Sequence, residues 1–461
     1  MPRVARTAAC TTAVVALLLS AACAEKAPAP AAPRPNVLLI VADDLNVQLG
    51  TYGKAVQTPN IDRLARLGRR FDAAYTPFPL CNPSRASLMT GWHPARTRVW
   101  DNAVRTRELL RGARTLERVF REAGYFTVRF GKIYHFDEEY EWDLAEDAPP
   151  DPPIQDASGE TRRRRKVRFE DKWEASALPD AELPDGRTAR RAAQLLVESR
   201  ERPLFLAVGF VRPHGPWIAP KRYFDLYPED RLVLPSYPED ELDDVPDAAV
   251  SYGAEPPIPP GEHKKALAAY LACVSFVDAQ LGVVLEALDR GDLWRNTVVV
   301  FLSDHGIHRG EHGLWRKNTL FEESARVPLL IAAPGLREPG QATSRLAELT
   351  DVYPTLLDLA GLPPVPDLDG VSLAPLLKDP SRVVRNAAFT TTERGGKLAA
   401  SVRTERHRLT LWPDGSRELY DHATDPEERT NRASDPSLVA VATELSRLAA
   451  EPRSAIVPSA R

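Results

Sequence analysis

The 461-residue chain sets 60 Lys+Arg against 64 Asp+Glu, with 43% hydrophobic and 27% charged residues. This balance excludes a disordered acidic tail, a collagen-like repeat and a polytopic membrane protein, and a formal charge of −4 argues against a surface built to grip nucleic-acid phosphates. Four cysteines in so long a chain exclude a disulfide-stapled scaffold. The 42 prolines predict long, stiff loops.

Residues 1–22 place Arg3 and Arg6 before an apolar run from Ala13 to Leu19 and then Ser20-Ala21-Ala22. This is the pattern of a secretory signal peptide, too short to span a bilayer as a stable helix, so export to the periplasm or cell surface is expected. Cys23 follows the small residues, which leaves open a lipid anchor there or ordinary cleavage. Residues 23–35 form a Pro/Ala-rich tether.

NVLLIVADD (36–44) is a continuous apolar run ending in two acids, which predicts a buried parallel strand. TPNIDRLARLG (58–68) predicts a helix capped at Thr58, with Pro59 in its first turn. Cys81 is expected in an exposed polar loop, CNPSRASLMTG (81–91), as a reactive thiol. Helices follow at 115–125, 187–200, 263–290 and 349–361, alternating with strands at 126–132, 204–210, 297–304 and 327–335. Cys273 lies within the 263–290 helix, where a small thiol reads as packed core. Residues 137–186 and 226–261 are Pro- and acid-rich surface excursions.

From about 385 the pattern becomes four short alternating pieces and a closing helix at 436–450. The expected fold is therefore α/β. A large mixed, mainly parallel central sheet sandwiched by helices spans 36–380, and a smaller α+β C-terminal subdomain with an antiparallel sheet spans 381–461. In such sheets ligands gather beyond the C-terminal strand ends. Asp43, Asp44, Lys132, His214, Asp304 and His305 each follow a predicted strand within a few residues. Paired carboxylates at two strand ends make an oxygen-rich site for a hard cation, calcium in preference to zinc.

In CNPSRASLMTG a Cys is followed two residues on by Pro and four on by Arg, and the segment closes on Thr-Gly. It resembles the signature of the sulfatase family, within the alkaline-phosphatase-like superfamily. The resemblance runs from residue 35 to about 430 through RPNVLLIVADDLN, TPNIDRLA, FGKIYH, PLFLAVGFVRPHGPW, DHGIHRGEHGLWRK and ELYDHATDPEERTN. In order and spacing the first five of these most resemble the iduronate 2-sulfatase branch, which the stretch 140–185 does not follow. The resemblance implies that a separate maturation enzyme oxidises Cys81 to formylglycine, whose hydrate supplies the nucleophilic hydroxyl and then expels sulfate. It also implies a Ca2+ site built from Asp43, Asp44, Cys81, Asp304 and His305, the last standing where many relatives carry Asn.

By the same resemblance Lys132 and Lys317 bind sulfate, and Arg85 holds the formylglycine and its neighbours. His135 assists the hydroxyl, and His214 protonates the leaving alcohol. The implied substrate is a 2-O-sulfated uronate in a glycosaminoglycan-type glycan, with no role for nucleic acid. Choline or aryl sulfates remain alternatives. So do phosphonate monoesters or phosphodiesters on the same fold, and a surface lipoprotein that only binds sulfated glycans, although that last reading predicts missing catalytic groups. TRRRRKVR (161–168) reads as a solvated loop and Trp92, Trp100 and Trp217 as packing residues. His308 and His312 are given no role, although His312 is expected close enough to reach substrate.

Overall fold

The computed structural model describes residues 2, 34–136, 141–151, 154–155, 161–162, 173–198, 200–250 and 258–457. Apart from Pro2, the signal peptide, Cys23 and the tether as far as Pro33 lie outside the described residues, as does the basic run from 163 onward.

In chain order the main elements are β1 (Asn36–Asp43), α1 (Pro59–Leu67), β2 (Arg69–Tyr75), α2 (Cys81–Thr90), α3 (Leu116–Glu122), β3 (Phe126–Gly131) and β4 (Leu144–Glu146). Then come α4 (Pro184–Val197), β5 (Leu204–Pro213), α5 (His263–Arg290), β6 (Thr297–Ser303), β7 (Arg326–Ala332), β8 (Ala342–Glu348) and α6 (Val352–Leu359). The last part holds β9 (Ala388–Arg394), β10 (Lys397–Arg403), β11 (His407–Leu411), β12 (Arg417–Asp421) and α7 (Val439–Ala450).

Eight strands form the central sheet in the order β8–β2–β7–β6–β1–β5–β3–β4. The run β6–β1–β5–β3–β4 is parallel throughout, so the C-terminal ends of those strands share one rim. β7 runs antiparallel to both β6 and β2. Apolar strands such as NVLLIVAD are buried on both faces, as a helix-covered parallel sheet requires. One face packs with α1, α4 and α5, the other with α2, α3 and α6. The length and hydropathy of α5 would suit a membrane span, but 89% of its apolar window is buried inside the protein, and Cys273 is fully enclosed there.

Three strands of the central sheet, β2, β4 and β8, go beyond the sequence expectation. β4 lies within the stretch 137–186 expected as a surface excursion, where it pairs parallel with β3 at the sheet edge. RRFDAAY and ATSRLAE interrupt their apolar residues with charges because they lie at or next to the sheet edge, where half of each strand stays partly exposed. The cap of α1 also differs. Thr58 occupies the cap position, but its Oγ1 accepts from Gly50 N (2.8 Å), and the first amides of the helix are bound from α5. Asn60 N and Ile61 N donate to Asp278 Oδ1 at 3.0 and 2.7 Å.

The larger correction concerns Cys81. It is not an exposed loop thiol but the first residue of α2, fully buried like the other nine residues of that helix. Pro83 is tolerated in the first turn, where no intrahelical N–H is needed. The polar side chains bond internally: Asn82 Nδ2 donates to Asp101 O and Val104 O (2.9 and 2.7 Å), and Ser84 Oγ donates to Asp304 O (2.5 Å).

β9 to β12 make a four-stranded antiparallel meander. α7 covers it through Ala442, Leu445 and Leu448, packed on Phe389, Val402, Leu409 and Leu419. Arg34–Arg461 form one compact unit.

Candidate active site

Four strands of the parallel run deliver their following residues to one point. β1 ends on Asp43, and Asp44 turns the chain with φ 64°. β6 releases Asp304 and His305, β3 releases Lys132, and β5 releases His214. The β3–β5 junction needs two glycines. Gly131 and Gly209 are register partners, and a Cβ on Gly131 would sit 2.1 Å from Gly209 O, one on Gly209 2.0 Å from Lys132 O. That close approach lets Lys132 N donate to Gly209 O at 2.9 Å.

Cys81 enters at the N-terminus of α2, where the helix dipole favours negative charge. Its Sγ lies 3.2 Å from Lys317 Nζ and 3.3 Å from His305 Nε2. Burial alone would raise the thiol, but Lys317, Lys132 and His305, with a hydrogen bond from His135, outweigh it and hold it well below its ordinary value. Any oxygen carried at this position meets the same cations.

Arg85, fully buried, is the hub of the floor. Its Nε donates to Asp304 Oδ2 at 2.8 Å, its Nη2 lies 3.6 Å from Asp43 Oδ1, and its Nη1 bonds the carbonyls of Lys132 and Ile133. Lys132 Nζ pairs with Asp43 Oδ2, and Lys317 Nζ with Asp44 Oδ1 at 2.6 Å. Burial and the Cys81 thiolate push the Asp43 carboxyl up, but Lys132, His214 and Arg85 prevail and hold it below the usual carboxylate range. Burial pushes Asp304 up to about 6 against the pull of Arg85. Burial lowers His305, yet the Asp304 carboxylate reverses this and carries it to about 9.

The ligand atoms of Asp43, Cys81, Asp304 and His305 all lie within 4.8 Å of one another. Asp43 Oδ1 is buried without a hydrogen-bond donor, and the His305 Nδ1 contact with Gly306 O (3.0 Å) leaves Nε2 for a ligand role. A carboxylate-rich set with one orphaned oxygen fits a calcium ion. Asp44, expected in the same set, groups instead with Cys81 and His214, although its Oδ1 is 3.3 Å from His305 Nε2.

His214 stands on the open side of the cluster, partly buried, with Nδ1 against Gly215 O. Burial would lower it, but Asp44 and Asp43 raise it, which favours the protonated ring an acid needs. His135 follows two residues after Ile133. His312 does not reach the cluster: its ring is enclosed, stacked on Phe321 with centroids 4.3 Å apart and with Nδ1 2.9 Å from Glu241. His308, likewise buried, bonds Thr319.

Several supporting groups carry no sequence signal of their own. Asn102 Oδ1 accepts the amide of Asn82 at 3.0 Å and fixes the first turn of α2. Tyr270 OH, from α5, donates to Asp44 O at 3.0 Å. Glu117, fully buried in α3, accepts from Tyr134 OH at 3.0 Å and steadies the segment between Lys132 and His135. Only distance in space reveals them.

The family profile described as Sulfatase matches residues 35–362, and that described as N-sulphoglucosamine sulphohydrolase, C-terminal, matches residues 310–454. The chain is 35% identical to a sulfatase of Formosa agariphila, over 87% of this chain and 83% of that one. It is 34% identical to the iduronate 2-sulfatase of Mus musculus, over 72% and 69%. It is 33% identical to the choline-sulfatase of Rhizobium meliloti, over 87% and 83%. Among solved structures, BT1596, a 2-O GAG sulfatase, superposes with a TM-score of 0.72 at 26% identity, covering 91% of this chain and 92% of its own. The phosphonate monoester hydrolase of Agrobacterium radiobacter does so with a TM-score of 0.79 at 26% identity, covering 91% and 96%. With its profile spanning most of the chain and the cysteine signature at the centre of the buried charge cluster, this protein belongs to the sulfatase family.

Proposed function

We propose that this sulfatase removes a 2-O-sulfate from a uronate in a glycosaminoglycan-type glycan, with calcium and a formylglycine made from Cys81. The observation that carries the reading is the convergence of Lys317, Lys132, Arg85 and His305 on the buried Cys81 end of α2. A sulfate ester is a fixed anion whose charge moves toward the bridging oxygen during cleavage, so a preorganised cationic pocket favours the transition state. Lys317 and Lys132 hold the sulfate oxygens. Arg85 locks the loop after β3 through the Lys132 and Ile133 carbonyls. His214, raised by Asp44 and Asp43, protonates the leaving alcohol from the open side, and His135 sits beside the reacting side chain.

Calcium, held by Asp43, Asp304, His305 and residue 81, supplies Lewis-acid charge when bound. Formylglycine at position 81 supplies a hydroxyl nucleophile able to release sulfate, which a thiol is not. Its installation needs a separate maturation enzyme. Export, with Cys23 either lipidated or removed, fits a polymeric substrate outside the cytoplasm.

The sugar assignment rests on the similarity to iduronate 2-sulfatase and to a 2-O GAG sulfatase. The choline-sulfatase and phosphonate hydrolase likenesses define the competitors. The test is a panel of defined 2-O-, 6-O- and N-sulfated uronate-containing disaccharides, with choline sulfate, an aryl sulfate and an aryl phosphonate. Fastest release from the 2-O-sulfated uronate is expected. Preference for choline sulfate would overturn the sugar, and preference for the phosphonate would overturn the sulfate ester.

A further inference from the structure

Lys317 reaches Cys81 from a segment that belongs to no helix or strand, between a short 3-10 turn and the helix at Glu322–Ala325. Such a segment does not by itself hold an ammonium within 3.2 Å of a partner. The peptide that follows Lys317 is caught on every side. Asn318 adopts φ 68°, a conformation Asn tolerates better than most residues. Its N–H donates to Pro79 O at 3.0 Å, two residues before Cys81. Its carbonyl accepts from Arg394 Nη2 at 2.8 Å, and its side-chain Oδ1 accepts from Thr392 Oγ1 at 2.6 Å. Arg394 Nη1 donates in turn to Thr392 Oγ1 at 3.1 Å.

Thr392 and Arg394 lie on β9, an edge strand of the C-terminal sheet. The same strand grips the chain that leads into α2: Thr390 Oγ1 donates to Thr76 O at 2.8 Å, and Thr391 N donates to Pro77 O at 2.9 Å. An exposed edge is ordinarily a liability for a sheet. Here the Thr391 N–H and the side chains of Thr390, Thr392 and Arg394 bond the two segments that carry Cys81 and Lys317. Thr390 and Thr392 are buried to within 2% of full enclosure, so neither hydroxyl has water as an alternative partner.

We infer that Thr392, backed by Arg394, is a positioning residue that sets Lys317 Nζ against residue 81 through Asn318, making the C-terminal sheet part of the sulfate-binding apparatus. The inference rests on the reading of Lys317 as a sulfate ligand. Removing the Thr392 hydroxyl leaves Asn318 Oδ1 without its donor and frees the Lys317 peptide to shift. A displacement approaching 1 Å at a charged contact costs roughly ten- to a hundredfold in rate.

The experiment uses the matured full chain and compares Thr392→Val, which lacks the hydroxyl at equal volume, Thr392→Ser, which keeps it, and Lys317→Ala. The readouts are kcat/KM on a sulfate ester, competitive inhibition by inorganic sulfate, and Tm. Expected is a loss of roughly ten- to a hundredfold in kcat/KM with weakened sulfate inhibition for Thr392→Val, and near-native values for Thr392→Ser. Lys317→Ala should lose more in both readouts. Native kinetics in Thr392→Val beside a crippled Lys317→Ala would overturn the positioning role alone. Equal losses in Val and Ser variants that track a lowered Tm would reduce Thr392 to a packing residue and overturn it too. A Lys317→Ala variant with native turnover and native sulfate inhibition would refute the sulfate-ligand reading itself.

Discussion

Replacing Glu117 by Gln should make the protein more stable at pH 8 and leave it almost unchanged at pH 4.5. Glu117 is fully buried in α3, and burial lifts its carboxyl to about 7 even though Thr115, its own backbone amide and Tyr134 all hydrogen-bond it. The unfolded chain would titrate this group near the ordinary 4.5. Below that value both states are protonated. Between 4.5 and 7 the unfolded state loses its proton first, so stability falls as pH rises, and above 7 the whole loss is present.

The difference of about 2.5 units corresponds to about 3 kcal/mol at most. Gln carries no charge to bury and still offers an oxygen to Tyr134 OH. At ~2.1 cal/mol/K per residue the unfolding entropy of this chain approaches 1 kcal/mol/K, so the gain is about 3 °C in Tm. Thermal melts of both proteins at pH 5, 6, 7 and 8 check this, with the Tm difference widening from pH 5 to 7 and levelling off toward pH 8. A constant difference, or one that shrinks toward pH 8, would refute the assignment of the raised carboxyl to Glu117.

Cys81→Ala should abolish turnover while costing only about 1 kcal/mol in stability, as expected for a small side chain in a packed site; activity assays with a thermal melt check both. His214→Ala should slow alkyl sulfate hydrolysis by about 10²–10⁴ but an activated aryl sulfate far less, because a good leaving group needs no proton; equal losses on both would remove His214 from the acid role. Chelation should abolish activity and calcium should restore it, since Asp43 and Asp304 offer hard oxygen ligands; recovery with zinc alone would contradict the donor-set argument.

The longer helices other than α2 and the long parallel strands were legible because each buries a periodic or uninterrupted apolar stretch, as in NVLLIVAD and the 28 residues of α5. The strand-end acids were legible for a related reason: a charged residue directly after an apolar strand falls on the rim where parallel strands end together. Strands β2 and β8, next to and at the sheet edge, were not, because partial exposure admits Arg70, Asp72 and Arg345, and the buried Arg69, bonded to Arg337 O and Leu377 O, breaks the pattern further. The direction of β7 was also invisible, since an apolar run reads alike in either orientation. Glu117, Asn102 and Thr392 act on partners 17, 20 and 74 positions away, and no local pattern records such pairings.

The misreading of Cys81 as exposed has a more general cause. Polarity in CNPSRASLMTG can mean contact with water or contact with other polar groups inside the protein, and composition does not distinguish them. Here Asn82, Ser84 and Arg85 are all bonded internally, to Asp101 and Val104, to Asp304, and to Asp304 and the carbonyls after β3. Ser84 and Arg85 tie α2 to Asp304 and to the carbonyls after β3, so the helix is fixed against strand ends that carry the acids, while Asn82 ties its first turn to the loop at 101–104. A buried charge cluster is tolerable only when nearly every polar atom is matched. Orphans such as Asp43 Oδ1 are then the atoms left to address what binds. The same density of internal polar contacts that disguised the helix as a loop gives a sulfate-sized anion a rigid, prearranged set of cations.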